Sequence, residues 1–470
     1  MSLEKALPDD EGRGWTVQKI IDFLNQIIYF ERASAHILAG WNPKIPEMNV
    51  KVMCGQHLFQ DMDNAAVLRN RNKALTMLEE KKSLTIPEGW RTVMVRIDSA
   101  KNTAQMLTGL YFVIKHHVTE LYELFLANTD PISDAPSIRL ISRILPEKIR
   151  QVLWAEKAME HLNSESCSIG NRDIWKEEVE ILWNCRHTKK QLIPTESIWN
   201  PLDRVTNVVR PSNMKRGEPG SLRIIPIDAL RNPKDIGIFL HGFLNEEFTT
   251  MELVCRNTYE HPEMPWEFHL DMARHAADEA RHAQMIEKLA SDYSVKYGDY
   301  PIYTYSYEGL YEFDPCERYS KRELLWRMLL RNTLHEGLAL DSLAFEIKKR
   351  RFLDQNELAR VFSFLLADEV FHAQSGLKWS RFLCDGDLEE TTQERAKAHE
   401  YFIDTLRLRR AKYVAHNIER AEAEVDILEE ASKHYELPFH RILNVQARKE
   451  AGFTQEEIEQ VINWEYVDPS

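Results

Sequence analysis

The sequence predicts an all-α chain, with two helical bundles in tandem and a helical extension at the C-terminus, and three observations carry that expectation. Apolar residues recur at spacings of three and four with charged residues between them, and alternating runs are few. The helical patterns fall into two sets of four, parted by a proline-rich stretch. The chain has 470 residues, more than one hydrophobic core usually fills.

In the first set the patterns cover about 15–39, 47–80, 90–128 and 137–163, separated by breaks such as GWNPKIPE and NTDPISDAPS, so residues 1–163 are expected to form one bundle. From 164 to 235, Pro194, Pro201, Pro211, Pro219, Pro226 and Pro233 interrupt any long helix, and this stretch is expected to connect the bundles. A second set at about 235–260, 266–292, 320–351 and 355–383 predicts a bundle over 236–385. Residues 386–470 read as the extension, with a charge-rich helix over 389–433 whose LRLRRAK run is taken as a solvated face.

The charge balance of 60 Lys and Arg against 74 Asp and Glu gives a formal charge of -14, which argues against gripping phosphate backbones, so no nucleic-acid partner is expected. The six cysteines are scattered without a CxxC pair, which argues against a zinc ribbon or rubredoxin-type iron and for a reducing compartment. The polar start MSLEKALPDDEGRG and the lack of a membrane-length apolar run give the expectation of a cytoplasmic protein with no membrane partner.

The chemistry lies in the second set. Glu279-Ala-Arg-His282 and Glu369-Val-Phe-His372 each place Glu and His three apart on one helix face, and both stand in the context Asp-Glu-x-x-His-Ala. A single Glu-x-x-His arises easily by chance; two in matching contexts, 90 positions apart, do not. Each is preceded by an acidic residue on the helix before it, Glu247 by 32 positions and Glu336 by 33. Glu247 and Glu279 lie equally far from the turn at HPEMP, about 20 Å along their helices at 1.5 Å per residue, so a hairpin brings them to one height. All four acids sit on apolar helix faces, where ionised carboxylates are strongly disfavoured unless paired or coordinated. Four carboxylates balance two divalent metals, and two imidazoles complete the set.

Other residues stand near this pattern. Glu246 could replace Glu247 if the helix were rotated. Glu252 and Asp341, each five residues after Glu247 and Glu336, fall off the ligand face and are expected to hydrogen-bond nearby or to be exposed. Asp278 and Asp368 could orient the histidines, and Arg281 could pair with either. His275, four residues before Glu279, is read either as an extra ligand or as a pocket-lining core histidine. In the first third, Glu31, Asp61, Glu123 and Glu156 repeat the spacing, with Asn64 and Met159 where histidines would fall; that bundle is expected to be a worn, metal-free copy, and His57, His116, His117 and His161 are taken as structural.

On these residues, 235–383 resembles the ferritin-like di-iron carboxylate superfamily, and HGFLNEEFTTMEL, MARHAADEARHAQM and LADEVFHAQ look closest to a bacterial and fungal ferritin-like family of unassigned function. The resemblance implies two tandem ferritin-like bundles, the second holding a pair of iron ions, or an iron–manganese or manganese pair, with O2 as co-substrate. His275 is similar to the third histidine of di-iron arylamine N-oxygenases, although there it accompanies the second Glu-x-x-His, where this chain has Leu365. Ile286 stands where a radical-generating ribonucleotide reductase subunit has its tyrosine, and a rubrerythrin would need CxxC pairs. The expectation is an O2-dependent oxidase or oxygenase of a small organic substrate, with Glu247 and Glu336 as catalytic carboxylates and Phe243, Phe248, Trp266 and Phe371 around the substrate. An external electron donor is expected, and a homodimer is compatible. A ferroxidase-like metal-handling protein and a non-catalytic scaffold are the alternatives.

Overall fold

The computed structural model describes residues 14–75, 85–162, 169–189, 191–203, 208–217, 232–302, 304, 320–416 and 443–463. The chain is mostly helical and divides into two units, Met1–Val205 with Val254–Ala277, and Thr206–Leu253 with Asp278–Ser470.

In the first unit α1 (Val17–Trp41) and α2 (Met48–Leu75) form a hairpin. Thr16 caps α1 by accepting from the Lys19 amide, which satisfies one of the free donors at the helix start. The helix expected over 90–128 is broken after Asp98, because Asn102 turns its side chain back onto the Gln105 amide and starts a new helix. The result is α3 (Glu88–Asp98), then α4 (Thr103–Gly109), a π-helical turn at Leu110–Lys115, and α5 (His116–Asn128). Asp134 caps α6 (Ala135–His161), which tolerates Pro146. The proline-rich connection is less irregular than expected: α7 (Ile169–Asn184) precedes its prolines, and β2 (Leu192–Pro194) pairs antiparallel with β1 (Thr85–Pro87).

Residues 233–253 of α8 (Pro233–Glu260) and 278–292 of α9 (Trp266–Asp292) belong to the second unit, and the rest of both helices to the first. The third helix of the second unit is α10 (Lys321–Arg327), capped by Ser320, followed by a π-helical turn at Met328–His335 and α11 (Glu336–Phe352). Asp354, at a left-handed φ of 59°, ends that helix and turns the chain into α12 (Asn356–Leu383). The extension begins with α13 (Leu388–His416); the rest of the helix expected to 433 lies outside the described residues. Two short helices, α14 (Val445–Ala451) and α15 (Gln455–Asn463), pack on α11 and α12 through Ala447, Ala451, Phe453 and Ile458 against Leu340, Ala373 and Leu377. Among the described residues no helix is long and apolar enough to cross a membrane.

The acids that follow the ligand positions by five are not exposed. Glu252 takes both ends of the Arg210 guanidinium, and Asp341 binds Arg448 at 2.6 Å and the Asn444 amide at 2.7 Å. Asp341 thereby anchors the C-terminal helices to α11.

Gly376, one turn beyond His372, lets α12 touch the π-helical turn. A Cβ at this position would lie 2.5 Å from the Asn332 carbonyl and 2.7 Å from Thr333 Oγ1. Because the neighbours are largely backbone, Gly376→Ala should push the helices apart and cost about 1–3 kcal/mol, as overpacking does. Thermal denaturation should show a lowered midpoint together with weaker metal retention; an unchanged midpoint would contradict this packing.

Candidate metal centre

Four helices of the second unit each bring one carboxylate to a common level. Glu247, Glu279, Glu336 and Glu369 are at most 6% exposed, and His282 and His372 are fully buried. Ionised carboxylates so placed cost several kcal/mol each unless counter-charges meet them. The ligand atoms form two groups within which all lie less than 4.8 Å apart: Glu247, Glu279 and His282 in one, His275, Glu279, Glu336 and His372 in the other. Glu279 belongs to both, as a carboxylate lying between two cations would. Glu369 is in neither group but stands between the imidazoles, with one oxygen 2.9 Å from His372 Nδ1 and the other 3.9 Å from His282 Nδ1. The cluster can hold one or two metal ions.

The histidines supply the test of fit. Asp368, acceptor-only as a carboxylate, takes the His282 Nε2 proton at 3.0 Å, which leaves the Nδ1 lone pair facing inward. That Nδ1 has no hydrogen-bond partner among the described residues and lies 3.4 Å from Glu247 and 3.5 Å from Glu279. A lone pair turned toward two carboxylates is repulsive unless a proton or a metal ion lies among them. Burial would lower the His282 imidazole, yet Asp368, Glu247 and Glu279 hold it well above its ordinary range, so the site calls for a positive charge at this nitrogen and the donor set fits a metal. His372 stands in the matching place on the opposite hairpin, but here Nδ1 is the nitrogen with the short hydrogen bond, to Glu369 at 2.9 Å. Its Nδ1 faces Glu369 and Glu279, and its Nε2 lies 3.6 Å from Asp278. Each aspartate thus serves the histidine of the other Glu-x-x-His helix, and Arg281 ties the pair together, reaching Asp278 at 2.8 Å and Asp368 at 2.6 Å.

The electrostatics show the same excess of negative charge. Burial pushes the Glu247 and Glu336 carboxyl groups well above their ordinary range, and Glu279 beside the first and Glu369 beside the second push them further. Burial alone would lower the His372 imidazole, but Glu369 and Asp278 lift it to about 10. Burial would raise Asp278, yet His372 and Arg281 hold it near 2.

Glu246 is half-buried, while its neighbour Glu247 points into the cluster. His275, on the same helix one turn before Glu279, is fully buried and offers a ring nitrogen to the group it shares with Glu279. The aromatic residues are scattered. Phe371 lies beside the His372 ring at 6.2 Å, Phe243 packs on Phe239 and Phe362, and Phe248 packs on Tyr297. Trp266 belongs to the first unit, where the guanidinium groups of Arg32 and Arg69 lie over its ring.

Arg331 escaped the sequence reading. It is buried in the π-helical turn, its Nε 3.5 Å from Glu336 Oε1 and its Nη2 on Thr250 Oγ1. Residues five apart on an α-helix diverge by about 140°, and the wider turn of a π-helix brings them closer to one face. The one legible signal was the second of the two arginines in the run WRMLLRNTL, set between Leu330 and Asn332.

The shared position of Glu279 separates two outcomes. Glu279→Ala should abolish metal binding, whereas Glu247→Ala, which touches one group only, should leave up to one equivalent, counted by elemental analysis after loading and desalting. Equal losses would contradict the sharing. Asp368→Asn should weaken metal affinity by roughly 10–100-fold, as loss of a ligand-orienting acceptor does, measured by competition with a chelator; wild-type affinity would mean that Asp368 does not orient His282.

Neither a curated protein nor a solved structure matches the chain. The all-α fold and its clustered histidines and glutamates are consistent with the ferritin-like di-iron carboxylate superfamily in general. The model of a family described as a protein of unknown function, DUF455, matches residues 170–459, a span that includes all six expected ligands. That span is more than half of the chain, and the chain belongs to this family.

Proposed function

We propose that the second unit is an O2-dependent non-heme di-iron oxidase or oxygenase acting on a small organic substrate, by hydroxylation, desaturation or N-oxygenation. The observation that carries this reading is the pair of ligand groups meeting at Glu279 inside a buried bundle. A pair of iron ions, when bound, supplies the reduction of O2 coupled to oxidation of a substrate; manganese in one or both positions suits the same donors.

The chain's own residues would do the rest. Glu247 and Glu336 cap the two ends of the centre as catalytic carboxylates, and Glu279 and Glu369 lie between. Asp278, Asp368 and Arg281 hold the imidazole rings, and the buried Arg331 guanidinium keeps Glu336 in place. Phe371, beside the His372 ring, and Phe243 and Phe248, on the helix that carries Glu247, would offer the substrate apolar contacts. Ile286, fully buried one turn beyond His282, offers nothing to oxidise, so the oxidising equivalents go to an external target. An external electron donor and a cytoplasmic setting accompany this reading.

The test is O2 consumption by protein loaded anaerobically with ferrous iron, with and without fractions of a low-molecular-mass cell extract. A fraction should accelerate consumption, and mass spectrometry should find a component that has gained an oxygen atom or lost two hydrogens. Glu336→Ala should abolish the acceleration while the circular dichroism stays that of a folded helical protein, because trimming a buried acid leaves only a small cavity. Steady ferrous oxidation indifferent to every fraction would favour a metal-handling role instead, and failure to take up metal would favour a scaffold.

A further inference from the structure

The first unit holds a buried polar cluster that matches the metal centre position by position. Glu31 and Asp61, on α1 and α2, are 30 residues apart, as Glu247 and Glu279 are 32 apart. The π-helical turn before α5 and the helix α6 contribute Lys115 and Lys148, 33 apart, the spacing of Glu336 and Glu369. Lys148 Nζ binds Glu31 at 2.7 Å and Asp61 at 2.6 Å, and Lys115 Nζ binds the other Asp61 oxygen at 2.6 Å. All four side chains are fully buried. The acids expected here, Glu123 and Glu156, are exposed; each lies eight positions beyond the lysine that occupies the equivalent place.

The supporting contacts match as well. Asn64 stands three after Asp61, where His282 stands after Glu279, and it donates to Glu147, the residue before Lys148, at 3.1 Å; His282 meets Asp368, the residue before Glu369. Gln151 stands three after Lys148, as His372 does after Glu369, and it donates to Gln60, the residue before Asp61, at 2.8 Å; His372 faces Asp278, the residue before Glu279. His57 precedes Asp61 by four, as His275 precedes Glu279. A π-helical turn ends at Lys115 in one unit and immediately before Glu336 in the other.

Charge gives the reason for the exchange. Four carboxylates need two divalent ions, and replacing two of them by ammonium groups changes the side-chain charge by as much as two divalent ions would. Burial works against the Asp61 carboxylate, yet Lys115 and Lys148 hold it below its usual range.

We propose that the first unit is a second copy of the metal centre in which the ammonium groups of Lys115 and Lys148 supply the positive charge that metal ions bring to the second unit. The cluster is a latent metal locus, closed by two covalently attached cations and opened by reversing them.

The full chain tests this. Lys115→Glu and Lys148→Glu combined with Asn64→His and Gln151→His restore the donor set of the second unit. After anaerobic loading with Mn2+ and desalting, this variant should retain up to two more ions per chain than the wild type. A folded variant with no added metal would overturn the proposal. Two further proteins decide the matter if the first does not fold. Lys148→Met alone leaves buried carboxylates uncompensated and should lower the unfolding midpoint by roughly 6–15 °C. The uncharged set, Glu31→Gln, Asp61→Asn, Lys115→Met and Lys148→Met, should recover most of that loss and keep the wild-type number of Mn2+ ions. An unchanged midpoint in the single variant, or a lost metal ion in the uncharged set, would overturn the assignment.

Discussion

Neutralising carboxylates buried at the middle of a helical bundle is the constraint on which this molecule turns. Each unit drives acidic side chains into an apolar interior, where an unpaired charge costs more than any single packing contact returns. The second unit gathers four carboxylates and two imidazoles and leaves their charge for cations to meet. The first keeps two carboxylates and meets them with lysines. Helix hairpins, π-helical turns and crossed polar contacts are common to both.

The crossed contacts explain how six candidate ligands on four helices can be held in register. Each Glu-x-x-His helix orients the histidine of the other through the aspartate beside its glutamate, and one arginine bridges the two aspartates. Displacing either helix would disturb both rings at once. The close approach permitted by Gly376 fixes α12 against the turn that carries Arg331, and so sets the height of Glu369 against that of Glu336.

Much of this was legible in the sequence because the ligand pattern is local. Two Asp-Glu-x-x-His-Ala texts with acids 32 and 33 residues upstream need only helix geometry to converge. What stayed hidden depended on departures from that geometry or on long-range partners. Arg331 reaches Glu336 through a π-helical turn that no simple periodicity announces. Glu252 and Asp341 looked peripheral because Arg210 and Arg448, which bury them, are distant in sequence. In the first unit Glu31 and Asp61, with Asn64 at the histidine position, are legible from spacing, whereas Lys115 and Lys148 are not, since a reversed charge at a ligand position does not look like a ligand. The aromatic residues were the weakest inference, because a helix face cannot say which neighbour it meets, and Trp266 lies under Arg32 and Arg69.

The anchor between α14 and α11 bears on the order in which the centre is assembled. Arg448 not only binds Asp341 but also donates at 2.8 Å to the carbonyl of Gly337, the peptide next to Glu336. All six candidate ligands precede residue 373, so a nascent chain holds them well before that peptide gains its outer partner. Only after residue 448 has left the ribosome is the backbone beside Glu336 fixed from outside, so the final rigidity of the centre depends on a segment translated after every one of its candidate ligands.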